Sequence, residues 1–159
     1  MNVRQLKASF TRPDNTTAYA DNDLVANDTT AASVTPLTFK LGNGGNHIVA
    51  IRIEKSDASD VSNADFSINF YGESPTVANG DNGAISTDIS DKIATIDIGA
   101  MAAATDDAFC QINFGDTDFT GGLFTGKKTV YALLEANAAY GPTAEEVFTV
   151  YLTYINFGA

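Results

Sequence analysis

In "DFSINFYG", residues 65–72, Phe66, Ile68 and Phe70 alternate with Ser67, Asn69 and Tyr71. A period of two is the signature of a β-strand with one face buried, because successive side chains leave a strand on opposite sides. The same period recurs along the chain. Leu6, Ala8 and Phe10 alternate with Gln5, Lys7 and Ser9, and Leu37, Phe39 and Leu41 with Thr38 and Lys40. Val49, Ile51 and Ile53 are expected on one face of "HIVAIRIEK", opposite Arg52 and Glu54. "IATIDI", "FCQINF" and "VFTVYLTYIN" repeat the pattern, and "KTVYALLEA" is apolar on both faces, as a strand covered by a further layer would be. Gly, Asn, Asp and Pro separate the runs, and "LGNGGNH" has the residues that tolerate the positive φ of tight connections.

About eight short strands with turn chemistry between them predict an all-β fold, an antiparallel β-sandwich or barrel with few or no helices. The helix candidates are short: "SDASD" and "STDISDK" each offer a Ser or Asp N-cap. At 159 residues, with no internal repeat, the chain reads as one domain, residues 1–159. No run of about 18 apolar residues is present, so no membrane-spanning helix is expected. "MNVRQLKASF" lacks the apolar core of a secretory signal, so no Sec-type export is expected.

The net charge is −11, and fifteen of the twenty acids are Asp, the acid that forms turns and caps. Such a field repels phosphate backbones, so no direct nucleic-acid partner is expected. Little in the chain suggests catalysis. A Ser-His-Asp set would have to use His47, the lone histidine, which is expected at the surface beside the glycine turn. Cys110, the lone cysteine, alternates with Ile112 and Phe114 and reads as packed rather than reactive. "DNDLVAND", "NGDNGAISTDISD", "ATDD" and "GDTDF" bring oxygen ligands together, but none has the EF-hand spacing. No cofactor is expected, and a structural calcium ion stays open without assigned ligands.

Against this background the segment 11–29 stands out, with Asp14, Asp21, Asp23 and Asp28 interleaved with Tyr19, Leu24 and Val25. "RPDNTTAYADNDLV" resembles R-P-x-[ND]-T-T-A-Y-x-x-x-D-[VL]-V, a pattern that opens small virion proteins of tailed bacteriophages. "PLTFKL", a glycine turn with "HIVAIRIEKSD", "FSINFYGESPTVANGDNGAISTDISDKIATIDI" and "TVYALLEANAAYGPTAEEVFTVYLTYIN" follow in the order of that family. The resemblance implies a jelly-roll sandwich that decorates the outer surface of the capsid. It further implies the major capsid protein as partner and a homo-oligomer, with a trimer favoured. A tail- or fibre-associated receptor- or glycan-binding module is the alternative, for which Tyr19, Tyr71 and Tyr140 are the candidate loop aromatics. Residues 1–29 read either as an extended arm or as an edge segment. In the first case Arg12, Pro13, Tyr19, Leu24 and Val25 contact another subunit or the capsid, with Arg12 pairing to an acid there. In the second they close the edge of their own sandwich.

Overall fold

The computed structural model describes residues 2–87, 90–114 and 122–158. Two antiparallel sheets face each other. The first contains β1 (Asn2–Thr11), β4 (Asn46–Lys55), β7 (Ala102–Ala103), β8 (Ala108–Asn113), β9 (Leu123–Thr125) and β11 (Val147–Asn156). Its order is β1-β11-β4-β8-β7, with β9 taking over beside β4 where β8 ends. The second contains β2 (Asp23–Val25), β3 (Leu37–Lys40), β5 (Asp65–Tyr71), β6 (Lys92–Ala100) and β10 (Thr129–Ala136). Here β2 and β3 pair along one side of β10, and β5 and β6 follow on the other.

With the short β2, β7 and β9 set aside, the strands run first-eighth-third-sixth in one sheet and second-seventh-fourth-fifth in the other. That order is the wiring of a jelly roll. The expected all-β sandwich is therefore what the chain forms. The single helical turn described is Ala31–Ser33, outside both candidates. "SDASD" instead forms a turn in which the Asp57 carboxylate accepts the Ser59 amide at 2.7 Å. "STDISDK" includes residues 88 and 89, outside the described residues, and its Lys92 opens β6.

The core lies between the sheets and follows the alternation. Phe66, Ile68 and Phe70 of β5, Phe148, Val150, Leu152 and Tyr154 of β11, and Val130, Ala132 and Leu134 of β10 are all buried there. Leu6, Ala8 and Phe10 of the edge strand β1 pack against it from the side.

One expectation fails at β4. Val49 was expected on the inner face with Ile51 and Ile53, but the register with β11 shifts between Thr153 and Tyr154. Thr153 opposes Ala50 and Tyr154 opposes Ile48, which leaves Val49 as the extra residue of a bulge. One inserted residue reverses the phase of a strand, so Ile48 rather than Val49 is in the core.

The doubly apolar β10 has a cover of its own. Leu133, on its outer side, joins Leu24, Ala26, Tyr71 and Val77 in a second buried cluster. Two segments of the same chain supply that layer. Residues 22–34 lie beside residues 77–85, joined by Leu24 N to Gly83 O at 2.8 Å, Asn82 N to Leu24 O at 2.9 Å and Asp81 N to Asp28 O at 2.7 Å. The approach is so close at Gly80 that a Cβ there would sit 2.1 Å from the Thr29 carbonyl oxygen, which explains a glycine at that position.

Candidate functional site

The densest polar constellation is buried at the end of the sandwich where β1 stops and β11 begins. Arg12 follows β1 directly, and its side chain and that of Asp81 are both 0% exposed. Their ion pair spans 3.0 Å between Nη2 and Oδ2. Arg12 Nε also donates to the Tyr19 hydroxyl, and Nη1 donates to the Thr143 carbonyl at 3.0 Å. Tyr19 in turn donates to Asp81 Oδ1 at 2.6 Å, an oxygen that also accepts the Ala26 amide at 2.8 Å. Every group has a partner, as burial of charge requires.

A second pair lies beside the first. Lys55, the last residue of β4, places Nζ 2.9 Å from Glu146 Oε1 and 2.7 Å from the Ser59 carbonyl. Tyr140 donates its hydroxyl to the other carboxylate oxygen of Glu146. Tyr19 and Tyr140 stack with ring centroids 5.9 Å apart and planes 1° from parallel, so the aromatic pair joins the two ion pairs. The edge of Phe66 meets Tyr140 at 5.5 Å and ties the cluster to the apolar core.

Electrostatics fit a structural role for these groups. Burial opposes the charge on Arg12, but Tyr19 and Asp81 outweigh it and hold its pKa above the ordinary value. Burial, with Asp81 beside it, pushes Tyr19 well above an ordinary tyrosine, and burial with Glu146 does the same for Tyr140. Both phenols thus hold their protons longer folded than unfolded. Their contribution is complete below the unfolded value of about 10 and is lost as pH rises beyond it. Chemical denaturation midpoints should therefore fall above about pH 10, and Tyr19→Phe should flatten that decline. A midpoint constant through the tyrosine range would count against this account.

The residues singled out in the segment 11–29 sit mostly in the interior of their own subunit. Arg12, Tyr19, Leu24 and Val25 are buried, and Pro13 is half-buried. An acid on a partner is not what Arg12 meets; Asp81 of its own chain occupies the guanidinium. Of the two readings, closure of the sandwich by its own edge segment is the one the geometry displays, for a physical reason. The five N–H donors of the guanidinium meet the Tyr19 phenol, the Asp81 carboxylate, the Thr143 and Asn15 carbonyls and the Asn15 side chain, which leaves no donor direction for a partner. The aspartates around it make turns: Asp23 Oδ2 accepts the Ala20 amide and Asp28 Oδ1 the Thr30 amide, each at 2.7 Å.

His47 is not at the surface. It is buried in β4, with the ring of Phe124 stacked on it at 3.8 Å. Cys110 is packed in the core, and burial pushes its thiol up to about 12. A thiol reagent should label Cys110 only as fast as the protein unfolds, and rapid labelling under native conditions would contradict that. Tyr19, Tyr71 and Tyr140 are all buried, so the glycan-binding alternative loses the aromatic platform assigned to it. Among the described residues no three of His, Cys, Asp and Glu converge on a possible metal position; "GDTDF" lies outside the described residues.

Asp81, Lys55 and Glu146 escaped sequence reasoning. Lys55 did carry a signal, because it continues the inner phase of Ile51 and Ile53. No protein-family model matches the chain, and no curated protein matches it.

Proposed function

We propose that this chain is a structural protein of a tailed-phage virion that binds the outer surface of the assembled head, with the major capsid protein as its partner. It acts by assembly rather than by catalysis, as a small homo-oligomer, and holds neighbouring capsid subunits together. The observation that carries this reading is the agreement between two independent features. The ordered motifs of the resemblance imply a jelly-roll sandwich, and the strand order is that of a jelly roll. The disposition of the polar groups supports it further. The strongest charges of the interior satisfy one another, and the outer face of the first sheet shows a row of neutral side chains, Gln5, Thr153, Ala50 and Asn113. A neutral row of this kind suits a protein contact.

The physics of the role follows from linkage. A subunit that binds only the assembled lattice stabilises the lattice against its free parts. Repetition over a symmetric shell turns modest single contacts into a firm collective one. Co-sedimentation with heads that lack the protein tests the reading directly. Saturable binding to heads, with capsids more resistant to heat, is the expected result. Binding to isolated tails alone would move the assignment to the tail, and binding to neither would sink it.

A further inference from the structure

Val3, Phe124 and Phe157 are the large hydrophobic residues that the described part of the chain leaves exposed, at 68%, 57% and 47%. They lie together. Val3 of β1 opposes Ile155 of β11, Ile155 opposes His47 of β4, and His47 opposes Phe124 of β9. Directly opposed residues share a face, so these four form one row across four strands. The neighbouring row on that side is Gln5, Thr153, Ala50 and Asn113, and the core residues Tyr154 and Ile48 point the other way. The row therefore runs along the outer face of the first sheet, at the end far from the buried ion pairs. Phe157 extends it beyond β11, where its amide donates to the Gly45 carbonyl at 2.9 Å.

We propose that this row is the centre of a contact between copies of this chain. Size and charge carry the argument. Aromatic side chains present about 150–250 Å² each, so two half-exposed rings and Val3 leave on the order of 300 Å² of apolar surface, a size often functional on a soluble protein. A stable interface takes about 800 Å² per partner. The row alone is too small, but it is the dry centre, and the neutral row beside it with the Lys7, Tyr151, Arg52 and Gln111 row beyond forms a polar rim.

Charge selects the occupant. No Asp, Glu, Lys or Arg stands in the row or in the one beside it, and farther along the outer face Lys7 and Arg52 are matched by Glu54 and by Asp107, which lines one hollow with Glu54 and Thr149, whereas the whole chain stands at −11. Glu54 is moreover held by Arg52 at 2.6 Å. A basic partner would be drawn to the acidic loops elsewhere, around Asp14, Asp21, Asp60 and Glu145, all exposed. A partner that is itself strongly acidic is admitted where acids are absent, and a second copy is such a partner. The inference rests on the homo-oligomer of the proposed function and assigns its surface, whereas failure to bind heads leaves it intact.

Sedimentation velocity on the full chain, from micromolar to millimolar concentration, tests it. The wild type should self-associate, and Phe124→Lys combined with Phe157→Lys should weaken association at least tenfold with the circular dichroism unchanged. Val3→Lys, on an exposed edge strand, should weaken it several-fold and decides the matter if the double variant does not fold. A wild type monomeric throughout overturns the proposal, as does association unaffected by Val3→Lys. A monomeric wild type whose head binding is lost with Phe124→Lys would give the surface to the capsid instead, and also overturns it.

Discussion

Asp81→Ala is expected to lower the stability of the fold by about 3–5 kcal/mol, the usual cost of removing one partner from a buried ion pair. The loss arises because Arg12 stays behind, fully buried and charged, with the Tyr19 hydroxyl and the Ala26 amide deprived of the same acceptor. Chemical denaturation followed by circular dichroism measures it. The double variant Arg12→Met with Asp81→Leu should recover much of the loss, since replacing both charges by apolar groups removes the uncompensated one. A single variant within about 1 kcal/mol of wild type would mean that water reaches the guanidinium, and the description of the cluster as closed would fall.

Glu146→Ala is expected to be comparably damaging, again about 3–5 kcal/mol, but through different neighbours. It strands the Lys55 ammonium in the interior and leaves the Tyr140 hydroxyl without its acceptor. Lys55→Met alone should cost less than Glu146→Ala. The methylene stem keeps its packing, and the carboxylate that remains still accepts from Tyr140. Because Tyr19 stacks on Tyr140, the two ion pairs should not behave independently. A double-mutant cycle between Asp81→Ala and Glu146→Ala should show coupling of about 0.5–3 kcal/mol, as neighbouring sites do. Strict additivity would show that the stacked rings transmit nothing.

The strands were legible wherever one face is apolar and the other polar. "DFSINF" and "VFTVYLTYIN" each show the phase that the core uses, because the side-chain period of a strand is fixed by its geometry. Legibility stopped where both neighbours in the chain are apolar. Ile48, Val49, Ala50 and Ile51 would fit either phase, so nothing local marks Val49 as the bulge. The burial of His47 depends on Phe124, far along the chain, and left no trace nearby. The apolar outer side of "TVYALL" announced a covering layer, but not that residues 22–34 and 77–85 would supply it. For Arg12 the sequence showed a charge amid anchoring residues, and the choice between an acid of its own chain and one on a partner required the fold. Asp81 is one aspartate among fifteen until the chain crosses the second sheet and sets it beside Arg12.

The pairing of β1 has a consequence for synthesis. Its ladder partner is β11, and Gln5 meets Thr153, 148 residues away. Arg12 likewise depends on Asp81 and on the Thr143 carbonyl. At roughly 5–20 residues per second on the ribosome, β1 spends on the order of ten seconds emerged and without its neighbour. Arg4 and Lys7 hold charged side chains along the strand during that interval, which discourages pairing with other nascent chains. Ribosome-stalled chains ending before residue 147 should accordingly remain sensitive to protease along their whole length, with folding deferred until β11 has emerged.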